Sequence, residues 1–379
     1  MEAGLAEKLI PSGIIHRRLI SQRLVRGGAK SKDPNEVVTW LAAVQAQDYA
    51  GAKWGLGARL PGSTDDDVER AFARGAILRT HVLRPTWHFV TPADIRWLLA
   101  LTAPRVHVAN GHMYRRLALD AATFRRSSAA LAKALEGGRH LTRDELRAVL
   151  EQRGIVTALE RMAYLLMHAE LDGLICSGPR RGKQFTYALL DERAPSAKPL
   201  SRDEALAELA RRFFVSRGPA TVHDLAKWSG LTIADARAGL EAAHGLEREV
   251  AGDTTYWFAR AAKRSVGSRS PTAHLLSIYD EYISGYRDRT GIISAANAAR
   301  LRRMGNAGIY IVVVNGVVVG HWARRFGKER TTVRIQLYER LGRAERRALE
   351  ASAEAFGAFL HMPVELEEVT SAGNLEGPP

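Results

Sequence analysis

The sequence predicts a mainly helical α+β protein: three tandem helical units, each closed by a β-hairpin, followed by a small β-barrel module. Three observations carry this reading. Amphipathic segments of helical period, each with a capping residue in front, recur in three sets before residue 270, and each set ends in two short β-rich runs. Beyond residue 271 the pattern changes to strings of β-branched residues such as GIYIVVV, GVVVGHWAR and RTTVRIQLY. The chain of 379 residues, 46% hydrophobic and 25% charged, is long enough for several domains with buried cores and has the balance of a globular protein.

Taken in order, the first unit (13–120) has helices at IIHRRLISQRLV, at NEVVTWLAAV behind Asp33-Pro34, and at DDDVERAFARG. The strands AILRTHVL and PTWHFVT follow, and Thr91-Pro92 starts a further helix, ADIRWLLAL. The second unit (121–195) runs from a helix at Phe124–Leu135 through LTRDELRAVLEQRG, started by Thr142, to TALERMAYLLMHAELDGL. Its hairpin is LICSGPRRGKQFTYALL, with a basic, glycine-rich tip. The third unit (200–265) starts at Ser201 with EALAELARRFFVSRG, continues through GPATVHDLAKWSGL and TIADARAGLEAAHG, and ends in the hairpin LEREVAGDTTYWF. Helix-turn-helix followed by a β-wing is the winged-helix pattern. Linkers rich in Pro, Ser and Gly are expected near 191–199 and 263–271. In the last module (271–370), Asn315-Gly316 between β-branched runs is a two-residue hairpin signal. The helix RAERRALEASAEAFGAFL closes the module, and SAGNLEGPP is expected to be disordered.

Charge narrows the function. Lys and Arg number 55 against 41 Asp and Glu, a formal +14, which favours a polyanionic partner. The excess is concentrated: residues 260–340 hold 15 basic against 5 acidic residues. The single cysteine, Cys176, excludes an intramolecular disulfide and any zinc site built on two thiolates. No apolar run approaches the ~20 residues needed to span a bilayer, and a cytoplasmic location without membrane contact is expected. No phosphate-binding glycine loop, dinucleotide turn, HExxH or GxSxG elbow is present. His81, His88, His107, His112 and His168 do not fall at metal spacings with a confirming carboxylate, so neither a metal nor another cofactor is expected.

The most specific local string is VQAQDYAGAKWGLGARL at 44–60. Residues two apart on a helix point about 200° from each other, so Gln45 and Gln47 can face one site only where the chain leaves the helix. Composition alone reads the string as a helix end with capping amides. That string, LRPTWHFVTPADI, GPATVHDLAKWSGL and LLSIYDEYISGYRDRTGII stand in the order and spacing of a known family. Over residues 13–362 the chain resembles the AlkZ-like (AlkZ/YcaQ) winged-helix DNA glycosylases.

The resemblance implies three winged-helix units around a concave DNA-binding face and a catalytic motif of glutamine, one small or apolar residue, then glutamine or aspartate. Gln45-Ala46-Gln47 matches the double-glutamine branch, associated with bulky 7-alkylguanine adducts and interstrand crosslinks. The implied partner is double-stranded DNA carrying alkylated purines, bound by a monomer. Relatives commonly have Arg-Gly-Thr where this chain has Arg84-Pro85-Thr86, which removes a backbone N–H from any phosphate contact there. Contacts to DNA are expected from Tyr49, from Arg79, Arg84, Thr86 and His88, and from the wing tip Arg180, Arg181 and Lys183. They are also expected from Tyr282, Asp288 and Arg289, in a polar cluster with Asp280 and Tyr286 that serves either the cleft or an Asp-Arg brace. Asp48 is read as a capping or solvated carboxylate, not as the base. The alternative from a different class is a winged-helix transcriptional regulator, which should carry a dimerisation element.

Overall fold

Residue by residue, the capping expectations decide where helices begin. The computed structural model describes residues 12–25, 33–195, 199–260, 270–304 and 310–369. The linker expected at 263–271 and the tail at 371–379 lie almost wholly outside the described residues. The first unit comprises α1 (Ser12–Ser21), α2 (Pro34–Leu41), β1 (Val44–Gln45), α3 (Tyr49–Gly57), α4 (Asp65–Ala73), β2 (Leu78–His81), β3 (Trp87–Val90) and α5 (Ile95–Arg116). Asp33 caps α2 with Pro34 at its first position, as expected. Thr91 instead bonds Asp94, and α5 starts only at Ile95.

The second unit comprises α6 (Ala121–Leu135), β4 (Leu141–Thr142), α7 (Arg143–Gln152), α8 (Arg161–Leu171), β5 (Ile175–Ser177), β6 (Thr186–Leu189) and the short α9 (Leu190–Arg193). The third has α10 (Arg202–Arg217), α11 (Val222–Ser229), α12 (Ile233–Ala242), β7 (Leu246–Ala251) and β8 (Thr254–Ala259). Capping boxes at Thr142 with Glu145, Ser201 with Glu204 and Thr221 with Asp224 start α7, α10 and α11. The described chain is a mixed α and β fold, about half helical.

The C-terminal module has β9 (Ala273–Ser277), α13 (Glu281–Ser284), α14 (Ala295–Arg303), β10 (Tyr310–Val314), β11 (Val317–Phe326), β12 (Thr331–Leu337), α15 (Arg343–Leu360) and β13 (Val364–Glu368). Its strands do not close into the expected barrel. They form an open sheet in the order β13-β12-β11-β10-β9, antiparallel except for β12 with β13. The reason is α15: it carries the chain across the sheet, packs on both β9 and β13, and so delivers β13 parallel to β12 at the far edge. The Asn315-Gly316 turn forms as expected, both residues with positive φ, between Val314 and Val317.

Core packing explains why β10 is apolar throughout. Tyr310, Val312 and Val314 pack in one cluster with α15 and with α2 to α4 of the first unit. Ile311 and Val313 face another cluster built from α5, α10 and α11. A strand buried on both faces loses the alternation of a half-exposed one. The second unit has its own core around Leu131, Leu146 and Leu165. The first, third and C-terminal segments share theirs.

Candidate active site

The two glutamines sit where α2 gives way to a strand. Ala42 takes a positive φ after α2, and β1 then pairs antiparallel with β3, Gln45 opposite His88. Val44 and Ala46 are buried, Gln45 is half-buried and Gln47 exposed. Extended backbone thus turns positions 45 and 47 outward together, without the frayed helix end that the sequence suggested.

Much of this stretch is held by hydrogen bonds. The Gln45 N–H donates to Glu281 Oε1 at 2.9 Å. The Ala46 N–H donates to the Trp87 carbonyl at 2.7 Å, and the Ala46 carbonyl accepts from Arg79 Nε at 3.0 Å. Asp48 caps α3 through the Gly51 N–H and accepts from the Tyr310 hydroxyl at 2.8 Å. The side chains are left free by comparison: Gln47 Oε1 lies 3.5 Å from the Trp87 N–H, the limit of a hydrogen bond. The Gln45 amide has no partner among the described residues.

Glu281 organises the ground beneath Gln45. It is fully buried and accepts from Arg217 Nη2 at 2.5 Å, Arg217 Nε at 3.2 Å and Trp228 Nε1 at 2.8 Å. Burial alone would raise its pKa, but Arg217 and the Gln45 N–H hold it below the usual carboxylate range. Arg217 also donates to the carbonyls of Leu41 and Ala43. Glu281, Arg217 and Trp228 are not signalled by sequence, save for the acidic pair Asp280-Glu281 set among apolar residues in LLSIYDEYI.

His88 is buried, and burial, with the charge of Arg84, pushes its pKa down to about 3. The neutral ring donates from Nδ1 to the Thr86 carbonyl at 2.9 Å and presents Nε2 to Arg84 Nη2 at 3.4 Å. His88 therefore orients Arg84 and offers no surface to DNA. Around Pro85 the chain makes two tight turns, with Arg84 N–H to Val82 O and Thr86 N–H to Arg84 O, both 2.7 Å. The Thr86 amide is thus consumed internally, and Pro85 stands exposed with no donor.

Several expected DNA contacts are committed elsewhere. Arg79 is buried against the rings of Trp87 and Phe185, its pKa lowered to about 10 by burial, and it serves the Ala46 carbonyl. Tyr49 packs edge-on to Phe72, Phe89 and Phe185 and donates to Glu69. Arg180 folds back onto Glu69, and Arg181 onto Glu145 and the His140 carbonyl, which leaves Lys183 as the exposed base at the β5–β6 turn without an ion pair among the described residues. Tyr282 is 0% exposed, with its hydroxyl on the Gly316 carbonyl. Asp280 braces Arg59 at 2.7 and 2.8 Å, and Asp288 caps its own turn at Thr290. Arg84 and Arg289 remain half-buried and partly open.

A hollow of about 130 Å³ opens beside Gln47, lined by His81, Trp87, Leu166, Met167 and Tyr187 among others. His81 Nδ1 is hydrogen-bonded there to the buried carboxylate of Glu170. Larger hollows of about 720 and 730 Å³, one along α10 and one between α3 and α15, are lined by neither glutamine. The histidines also require one correction. His107 Nε2 and His168 Nδ1 each lie 3.1 Å from an oxygen of Asp172, which caps the end of α8 four residues after His168. A carboxylate thus does lie beside two of these histidines, in a group of three donors that could hold a metal ion.

The sequence model of the AlkZ-like DNA glycosylases matches residues 38–359. The chain belongs to this family. It is therefore a DNA glycosylase, and the regulator alternative gives way. The interstrand DNA cross-link repair glycosylase of Streptomyces sahachiroi is 25% identical over 304 residues, 76% of this chain and 81% of that protein. The solved structure of the Streptomyces sahachiroi DNA glycosylase AlkZ superposes with a TM-score of 0.77 at 20% identity, covering 94% of this chain and 100% of that one. Among the described residues no helix is long and apolar enough to cross a membrane.

Proposed function

We propose that this glycosylase excises cationic alkylated purines, 7-alkylguanine above all, with Gln45 and Gln47 holding the attacking water. A guanine alkylated on N7 already carries positive charge, so the bond to the anomeric carbon breaks with the base leaving neutral and no acid is needed. What remains is to place water at the sugar cation. Amide oxygens accept hydrogen bonds from that water and turn their dipoles toward the developing charge, while a glutamine cannot act as a strong base. The observation that carries the reading is the held backbone around Gln45 and Ala46, from which two amides project, that of Gln45 without a partner among the described residues and that of Gln47 meeting the Trp87 N–H only at 3.5 Å. Asp48 is occupied as a helix cap and hydrogen-bonded by Tyr310, which leaves it poorly suited to be the base.

The small hollow beside Gln47 bears on lesion size. An apolar cavity of about 150 Å³ accommodates one benzene ring, so about 130 Å³ does not swallow an adducted nucleotide. We infer that the lesion is met on the open face at Gln47, a geometry that suits bulky adducts and crosslinks, in keeping with the name of the Streptomyces sahachiroi relative. The protein acts as a monomer in this reading.

Single-turnover release of 7-methylguanine from duplex DNA tests it. Gln45→Ala and Gln47→Ala should each lose roughly 2–4 kcal/mol of transition-state stabilisation, about 30- to 1,000-fold in rate, with binding nearly unchanged. The double variant should be less than additive, since both amides hold one water. Asp48→Asn keeps the cap and should be mild. Loss of activity in Asp48→Asn with active glutamine variants would replace the amide mechanism by a carboxylate base.

A further inference from the structure

Three cations meet beside Gln45 with no anion of their own. Arg84 comes from the turn before β3, Lys227 from the last turn of α11, and Arg289 from the loop after α13. Arg84 Nη1 reaches the Lys227 carbonyl at 3.5 Å, Lys227 Nζ donates to the Ser284 carbonyl at 2.8 Å, and Arg289 Nε lies 3.4 Å from the Tyr286 carbonyl. None of the three forms an ion pair among the described residues. The two nearby carboxylates are already spent: Glu281 on Arg217, Trp228 and the Gln45 N–H, and Asp224 on Thr221 and the Arg287 N–H. Two hydroxyls in the same neighbourhood, Thr86 Oγ1 and Ser284 Oγ, are buried without a hydrogen-bond partner.

Half-buried like charges repel one another across a low-dielectric gap, and buried hydroxyls left unpaired cost free energy. Each of the three pKa values is depressed, that of Lys227 to about 8 by burial and then by Arg289 and Arg84. An oxyanion with several acceptor oxygens relieves both costs at once.

We infer that Arg84, Lys227 and Arg289 form a binding site for a single backbone phosphate, next to the nucleotide that Gln45 addresses. Position supports it: Gln45 faces His88 across the β1–β3 ladder, and His88 holds Arg84. Phosphate capture follows from the cluster itself; only its place on the damaged strand rests on the reading of the glutamines.

The test compares wild type with Lys227→Ala/Arg289→Ala on a 7-methylguanine duplex and on the same undamaged duplex, across salt concentrations, with circular dichroism to confirm folding and Lys227→Arg as the conservative control. Loss of one phosphate contact lowers the slope of log affinity against log salt by about 1. The double variant should bind roughly 10-fold more weakly or worse, since charged hydrogen bonds are lost, and Lys227→Arg should stay near wild type. A single methylphosphonate walked along the duplex should weaken wild type at one position beside the lesion and leave the double variant unaffected there. An unchanged slope, or a methylphosphonate effect that persists in the folded double variant, overturns the site. If wild type releases no 7-methylguanine yet the slope falls, the phosphate site stands and the excision reading falls. Inorganic phosphate competing as strongly as the duplex would mean a free-anion site and also overturns the proposal.

Discussion

At the scale of single residues, the charges around Gln45 are set by burial more than by pairing. Lys227 is the case with a measurable consequence, because burial and then Arg289 and Arg84 push its pKa down to about 8 while Glu281 and Asp224 oppose. Only the ammonium form attracts a phosphate, and a bound phosphate in turn raises the pKa. Affinity for duplex DNA should therefore be full below pH 8 and fall as the pH rises through that value. Lys227→Arg should flatten the profile between pH 7 and 9, since a guanidinium stays charged. Binding titrations at fixed ionic strength check this, and an identical decline in Lys227→Arg would assign it to another group. The glutamine pair could be read from the chain because both members lie in one short string. Glu281 could not: its contact with the Gln45 N–H spans 236 positions, and no local pattern announces it. The same holds for Glu170 beneath His81, 89 positions apart.

Among elements, α3 is one that the sequence did not announce, as are β1, β9, α13, α14 and β13. Three glycines in nine residues argue against a helix, and the string reads only as a helix end with capping amides. Packing overrules this. A Cβ on Gly57 would stand 2.5 Å from the ring of Phe359, and one on Gly55 3.0 Å from Asp280 Oδ2, so the helix needs bare backbone where it meets α15 and the loop after β9. Gly57→Ala should destabilise the fold: overpacking costs about 1–3 kcal/mol, against about 1 kcal/mol gained in helix propensity. Urea denaturation measures the balance, and a stabilised variant would show that Phe359 moves aside freely. The capping boxes at Thr142 and Ser201 and the Asn315-Gly316 turn were readable because their chemistry is complete within four residues. The barrel was misjudged because strand order depends on where α15 lays the chain, which alternation of residue types does not encode.

For the whole molecule, one buried ion pair ties α10 to the strand that carries Gln45. Arg217, at the end of α10, reaches Glu281 and the carbonyls of Leu41 and Ala43, so three segments distant in sequence share one guanidinium. Removing one partner of a buried pair strands the other, at about 3–5 kcal/mol. Arg217→Met and Glu281→Gln should each destabilise on that scale, and the double variant should cost less than their sum. Additive losses in a denaturation cycle would mean that the two residues act separately. Loss of excision should accompany either single change, through the Gln45 backbone.

The doubly buried strand β10 has a bearing on how the protein comes into being. A ribosome releases the chain from its N-terminus, and compact units normally close as they emerge. Here the first and third units wait for residues 310–314 before their apolar faces are covered, and Gln45 waits for Glu281 before its backbone is anchored. Only the second unit, with a core of its own, can mature early. Synthesis must pass residue 314 before the strand that carries Gln45 is anchored, and a chain cut short of that point carries both glutamines on an unsupported backbone.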